Sequence, residues 1–369
     1  MVGGTDLIAS EWEYVLGFLP QDLTRSAWRQ GALIRRRQVD SAGALLRLVL
    51  AYALCDWSLR TTAAAAERMG MGPLTDVAVL KRLRRCGPWL AVVTGQLLRQ
   101  RATVGGLPAL RLRLADATTV SRPGSEGADW RLHACYDAGR GCFDEFVLTD
   151  VSGGESVRRY PLRPGDVLVA DRGYAHPEPL AAVAAGQTHF VVRLPWNRMT
   201  FRTGEGGEGW DLLTFLRGLP DARVAEAGVR VVLEQGDFPA RLVALRKSGP
   251  AAEVARRRIL REAKRKGKVP DPRTLECAGY FFVLTTLPAA VAPGEQVLAI
   301  YRLRWQIEMA FKRLKSILRF DALRAKDPAL AQAYLYGKLI GALLLDELTA
   351  RAHAFSPWGY ELPHLHPEL

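Results

Sequence analysis

The chain has 369 residues, 49% hydrophobic and 24% charged, with 51 Lys and Arg against 38 Asp and Glu for a net charge of +13. That is enough apolar mass for a sizeable core in two or three domains, and it excludes wholesale disorder, a collagen-like chain and a disulfide miniprotein. The positive excess points to a polyanionic partner. It is unevenly spread: net +6 over residues 1–109, −1 over 110–195, +5 over 196–295 and +3 over 296–369. One neutral stretch flanked by basic ones suits a metal-holding carboxylate centre surrounded by phosphate-gripping surfaces. The opening residues lack the basic and apolar regions of a signal peptide, and no apolar run approaches the ~18 residues of a membrane span. The longest near the C-terminus is 339–345. The reading is therefore a cytoplasmic protein associated with the nucleoid and not with a membrane. None of the five cysteines forms a C-x-x-C pair, and His133, Cys135 and Cys142 match no zinc spacing, so reduced thiols are expected.

In chain order, residues 1–104 read as helical. Asp40-Ser41 can cap a long apolar helix over 42–56. A second helix over 58–69, a break at Gly70-Met-Gly72 and a third helix over 76–85 carrying Lys81, Arg82, Arg84 and Arg85 follow. Helix, tight glycine turn and basic helix outline a helix-turn-helix, for which an ordinary bundle with a solvated basic face is the alternative. Residues 105–195 then read as strands at 110–116, 130–136, 143–148, 166–171 and 189–194, with a helix over 177–185. Residues 196–292 look like a β-rich insertion, with strands at 229–233, 240–245 and 280–284. Its segment 256–268 holds eight basic residues and one acid, as a helix or loop that grips DNA or as a solvated linker. Residues 293–369 read as one helix to about 319, a second over 328–350 and a Pro-rich tail.

The segment 301–315 carries the functional argument. At about 100° per residue, Tyr301, Arg304, Glu308 and Lys315 fall in a stripe roughly 60° wide, beside an apolar stripe of Leu303, Ile307, Ala310, Leu314 and Leu318. Glu308 is the only acid between Gln296 and Phe320, among six basic residues. A surface helix with an Arg304–Glu308 pair is the plain reading; a carboxylate ringed by phosphate-binding cations is the other. Two-metal phosphoryl transfer needs about three carboxylates converging from separate elements. Asp116 and Asp171, each read as the end of an apolar strand, supply the other two unless they are turn or cap residues.

The spacing Tyr301-x2-Arg304-x3-Glu308-x6-Lys315 resembles the Y-R-E-K signature of DDE transposases of the bacterial insertion-sequence-four type. Asp116-Ala-Thr-Thr-Val120 and Asp171-Arg-Gly-Tyr174 resemble that family's two catalytic-Asp motifs, and Leu284-Thr-Thr-Leu-Pro288 resembles the run upstream of the signature. The similarity covers about residues 20–350. It implies an α/β fold: a ribonuclease-H-like catalytic core interrupted by a β-strand insertion, preceded by the helical DNA-binding region with Lys81, Arg82 and Arg85. It implies Asp116, Asp171 and Glu308 as catalytic ligands of two Mg²⁺ ions, with Mn²⁺ as substitute. Tyr301, Arg304 and Lys315 would hold phosphates, Trp305 would stack on a base, and Arg172 and Lys312 would add DNA contacts. Where the family's best-studied member has a tryptophan, this chain offers Tyr280 or Phe281, either of which can stack. The implied partners are double-stranded DNA, as terminal inverted repeats and target, and a second copy of the chain in a synaptic homodimer. Little sequence follows the 328 helix, so synaptic contacts are expected elsewhere than in a long C-terminal region. The alternatives are an inactive or domesticated DNA-binding derivative and a host nuclease of the same fold.

Overall fold

A ten-stranded mixed sheet with helices on both faces organises the computed structural model, which describes residues 12–101 and 110–354 apart from 123, 206 and 222. The first eleven residues, the segment 102–109 and the proposed Pro-rich tail at 355–369 lie outside the described residues.

After a helical stretch at 12–16, the chain forms α1 Leu23–Arg29, α2 Ala42–Leu54, α3 Leu59–Arg68 and α4 Asp76–Arg101. Their starts follow the cap residues. The side chains of Ser41, Ser58 and Thr75 each accept the backbone N–H three residues on at 3.1 Å. Gly70 ends α3 in the left-handed region at φ 82°, which glycine adopts without strain. The expected helix over 76–85 does not stop there; α4 continues through Pro88 for 26 residues. An interior proline costs about 3 kcal/mol. Here Cys86, Trp89, Leu90 and Val93 are all fully buried around it, and each large side chain returns about 1.5–3 kcal/mol.

The strands are β1 Arg111–Val120, β2 Trp130–Asp137, β3 Cys142–Asp150, β4 Asp166–Ala170, β5 His189–Arg193, β6 Phe201–Arg202, β7 Gly209–Trp210, β8 Val224–Val232, β9 Asp237–Arg246 and β10 Tyr280–Thr285. Their order across the sheet is β3-β2-β1-β4-β5-β10-β9-β8-β6-β7. β1, β4 and β5 run parallel and every other pairing is antiparallel. The strands at 201–246 therefore extend the same sheet. Helices α5 Pro177–Ala185, α6 Leu212–Arg217, α7 Gly249–Arg265 and α8 Pro272–Cys277 come between strands. The basic segment is helical: α7 carries it, with Ala252 its buried residue. Pro272 starts α8, where the Asp271 side chain accepts the N–H of Arg273 at 2.8 Å.

The single helix expected from 293 to 319 is two, α9 Gly294–Arg302 and α10 Trp305–Leu318. The joint is tightened: Leu303, Arg304, Gln306 and Ile307 each donate to the carbonyl three residues back, at 2.9–3.3 Å. The joint breaks the uninterrupted wheel drawn from the sequence, so tertiary placement decides which signature residues meet.

The last helix, α11 Pro328–Ala354, corrects the expectation about apolar runs. Its portion Pro328–Thr349 is long and apolar enough to cross a membrane, yet 67% of it is buried inside the fold. It packs on α2 and α4 as a core helix. Gly337 allows that approach: a Cβ there would lie 2.7 Å from Ala53 Cβ and 3.1 Å from Val49 Cγ1. Gly337→Ala is expected to lower the unfolding free energy by about 1–3 kcal/mol through overpacking. Chemical denaturation checks this, and an unchanged midpoint would contradict the packing.

Candidate active site

The parallel ladders fix where two of the acids stand. Ala115 pairs with Ala170, and Ala170 with Val192, in the last rung of each ladder. The next residues along the three strands are Asp116, Asp171 and Arg193, which come abreast at the carboxyl end of the sheet. Asp116 does not end its strand, as expected, but lies within β1, because Ala117–Val120 go on pairing with β2. Asp171 does follow β4, heading a short 3₁₀ turn over Arg172–Tyr174. Strand alternation sets the face. Leu114, Val169, Val191 and Val283 belong to one core layer, and Ala115, Ala170, Val192 and Leu284 to the other. Asp116 and Asp171 thus share the side of Leu114 and Val169, where Tyr301, Ile307 and Phe311 also pack.

Glu308 arrives from above this face, in the first turn of α10. Arg304 links the acids. It donates to Asp116 Oδ2 at 3.5 Å and makes a short bond to Glu308 Oε1. Its guanidinium also lies 5.9 Å from the Tyr301 ring, whose hydroxyl donates to Asp171 Oδ1 at 3.1 Å. Burial opposes the charge on Arg304, but Tyr301, Asp171 and Glu308 together hold it above its usual pKa. Arg304 Nε is buried without a partner, a spare donor aimed at no protein group. Burial, then the Asp171 charge, raises Tyr301 to about 12, so it stays a donor. Burial is the largest influence on Asp116 and raises it to about 6. The Ala117 N–H and Arg304 pull the other way, while Glu155 and Glu308 add to the rise.

As the side chains are placed, no three or more His, Cys, Asp or Glu among the described residues form a group that could hold a metal ion. The three acids are joined through Arg304 and Tyr301 rather than facing one point. Their chemistry nonetheless fits a hard divalent cation. The donors are all carboxylate oxygens, and a cation beside Asp116 offsets what burial costs its anion.

Asp116 and Glu308 line a cavity of about 480 Å³ with Lys312, Lys315 and Asp321. Asp171 does not line it. Trp305 is 54% exposed at the start of α10, so core packing does not occupy it. β-alternation separates the two aromatic candidates. Phe281 is on the face of the acids, its ring 5.3 Å from Tyr301 and 5.2 Å from the Arg193 guanidinium. Tyr280 is on the other face under Arg246, at 5.6 Å, and the site does not include it. Arg172 is exposed beside Asp171.

Sequence reasoning missed three neighbours. Arg193 is abreast of Asp171, a position readable from the strand register alone. Lys247 was hidden by its distance in sequence; burial, with Arg193 and Arg172 close by, lowers it to about 8. Glu155 has Oε2 only 1.6 Å from where a Gly173 Cβ would sit, which explains the glycine after Asp171-Arg172.

Lys81, Arg82 and Arg85 line a separate cavity of about 740 Å³ in the helical region. Arg35 and Arg37 complete its wall, and no acid lines it. No local pattern marks that pairing, because the turn at 33–39 is brought to α4 only by packing.

A β3-β2-β1-β4-β5 order, with two acids just past the last rung of adjacent parallel strands and a third on a following helix, fits a ribonuclease-H-like core. Residues 108–345 match the family model described as a transposase DDE domain. A protein named as transposase InsL for insertion sequence element IS186A of Escherichia coli strain K12 is 41% identical over 356 residues, 94% of this chain and 96% of its own length. The transposase for IS421 of Escherichia coli is 41% identical over 357 residues with the same coverage. The transposase for IS231F of Bacillus thuringiensis subsp. israelensis is 26% identical over 264 residues, 63% of this chain and 55% of its own length. The chain belongs to the DDE transposase family, whose enzymes cut and join DNA with divalent metal ions.

The Asp116 carboxyl gives a pH test. Its folded pKa of about 6 lies above its ordinary value of 3.8, so the folded state binds its proton more tightly than the unfolded chain does. Below pH 3.8 both states are protonated and nothing is lost. As pH rises through this window the folded state loses stability, about 3 kcal/mol when ionisation is complete. Asp116→Asn is expected to melt higher than the parent protein at pH 7.5, with the difference gone near pH 4. Equal melting temperatures across that range would contradict a carboxylate whose burial outweighs the help of the Ala117 N–H and Arg304.

Proposed function

We propose that this chain is the transposase of a bacterial insertion sequence, binding the element's terminal inverted repeats, cleaving there and joining the freed ends to target DNA. The observation that carries the reading is the ladder register that sets Asp116 beside Asp171, on the face where the helix of Glu308 packs. In this reading residues 1–104 grip DNA. Residues 105–195 and 293–369 form the ribonuclease-H-like core, 196–292 is its insertion, and two copies join on paired ends, at the nucleoid in the cytoplasm.

Asp116, Asp171 and Glu308 would hold two Mg²⁺ ions, for which Mn²⁺ can substitute. When bound, the ions activate the attacking hydroxyl and stabilise the leaving 3′ oxygen. The chain's own residues supply the rest. Arg304, with its spare Nε donor, can exchange its carboxylate contacts for a phosphate, for which a guanidinium is suited. Tyr301 holds Asp171 in place by its hydroxyl. Lys312 and Lys315 put positive charge along the cavity wall where the strand would lie. Exposed Trp305, with Phe281 behind Tyr301, offers aromatic faces to an unstacked base. Because water and a freed 3′-OH attack phosphorus in the same way, one set of acids can serve both cleavage and joining.

Asp116→Asn, Asp171→Asn and Glu308→Gln are each expected to reduce cleavage of an end-bearing plasmid by a factor on the order of 10⁴ while end binding persists. Cleavage by any of the three at the parental rate would refute the assignment, and cleavage without joining would identify a nuclease instead. In the helical region, Arg35→Ala and Lys81→Ala should each weaken end binding. Each should also flatten the plot of log affinity against log salt by about 0.9 for a lost phosphate contact. An unchanged slope would remove that cavity from the DNA interface.

A further inference from the structure

A lysine sits in the middle of the apolar helix α11 and does not reach water. Lys338 is 1% exposed, between the fully buried Leu335 and Leu339. An ammonium has three N–H donors, and three acceptors surround this one. They are the backbone oxygen of Leu318, in a short bond, that of Arg319 at 3.3 Å, and Asp56 Oδ1 at 3.1 Å. Leu318 is the last residue of α10, and Arg319 caps that helix in the left-handed region at φ 49°. The final carbonyls of a helix have no partner within it and carry the negative end of its dipole. Lys338 supplies both the donor and the charge from another helix.

Asp56 is held in turn. The Tyr334 hydroxyl makes a short bond to Asp56 Oδ1 and lies 3.2 Å from the backbone oxygen of Ala322, and Arg324 donates to the Asp56 backbone oxygen. One buried node thus ties the turn after α2, the chain leaving α10, and α11. Glu308 lies on the helix so anchored, about 15 Å from its end at 1.5 Å per residue. Of the α10 side chains, only Ile307, Phe311 and Leu314 are buried. A helix seated on so narrow a stripe can roll or slide unless its ends are pinned. Arg304 and Tyr301 hold the start of α10.

We propose that Lys338 is a positioning residue for Glu308: by capping α10 and anchoring the cap to Asp56, it fixes where the carboxylate stands over the sheet. The proposal rests on reading Glu308 as the third acid. Lys338→Met removes the ammonium but strands Asp56, so Lys338→Met/Asp56→Asn, which removes both buried charges together, is the second variant. Lys338→Arg keeps the charge and tests rescue.

The full-length variants are compared for end binding, for single-turnover cleavage against Mg²⁺ concentration, and for hydrogen exchange at the last-turn amides of α10. The expected result is unchanged end binding, cleavage about ten- to a hundredfold slower, a higher Mg²⁺ requirement, faster exchange in that turn, and partial recovery in Lys338→Arg. A parental cleavage rate in the folded double variant overturns the proposal, as does a fall in cleavage matched by an equal fall in end binding. Glu308→Gln, run in parallel, separates the two readings. If it cleaves normally, the reading of the site fails; if it is inactive while the Lys338 variants cleave normally, only the positioning role fails.

Discussion

Three carboxylates drawn toward one end of a sheet repel one another, and Arg304 is the interaction that lets this protein gather them. Its guanidinium bonds two of the acids and lies against the tyrosine that holds the third. Asp116 and Asp171 are partly buried, where a charge without a partner is costly, while Glu308 is exposed. The same guanidinium has the shape and charge that suit a phosphate, which is the role proposed for it.

The supports of that arrangement come from distant parts of the chain. The sheet fixes two acids through hydrogen-bonded register, the most rigid positioning a backbone offers. The third acid stands on a helix whose ends are fixed from outside, by the tightened joint at 303–304 and by Lys338. Lys338 belongs to a helix that also packs against the N-terminal helices, and Asp56 comes from the turn that follows one of them. The region proposed to grip DNA and the region that carries the acids are thus one packed body.

Charge is sorted accordingly. The half-buried Arg111 and buried Arg113 are matched by Asp144 and Asp166. Around the acids and in the helical groove the cations face open space instead: Lys312 and Lys315 along one cavity, Arg35, Arg37, Lys81, Arg82 and Arg85 along the other. These seven cations thus line two cavities, the kind of surface that suits a polyanion.

By itself the sequence determined the elements and the signature. Cap residues, glycine breaks and period-two runs are local, and Ser41, Ser58, Gly70 and the strand runs mark structure where they stand. The spacing of Tyr301, Arg304, Glu308 and Lys315 was legible for the same reason, as were the motifs at Asp116 and Asp171. What only the tertiary structure decided was long-range. Pro88 does not stop α4 because buried neighbours outweigh one missing hydrogen bond. Register put Arg193 abreast of Asp171, and strand alternation assigned Phe281, not Tyr280, to the site. Packing alone brought Glu155 to Gly173 and Lys338 to the end of α10, since no local pattern records which distant backbone a buried charge will meet.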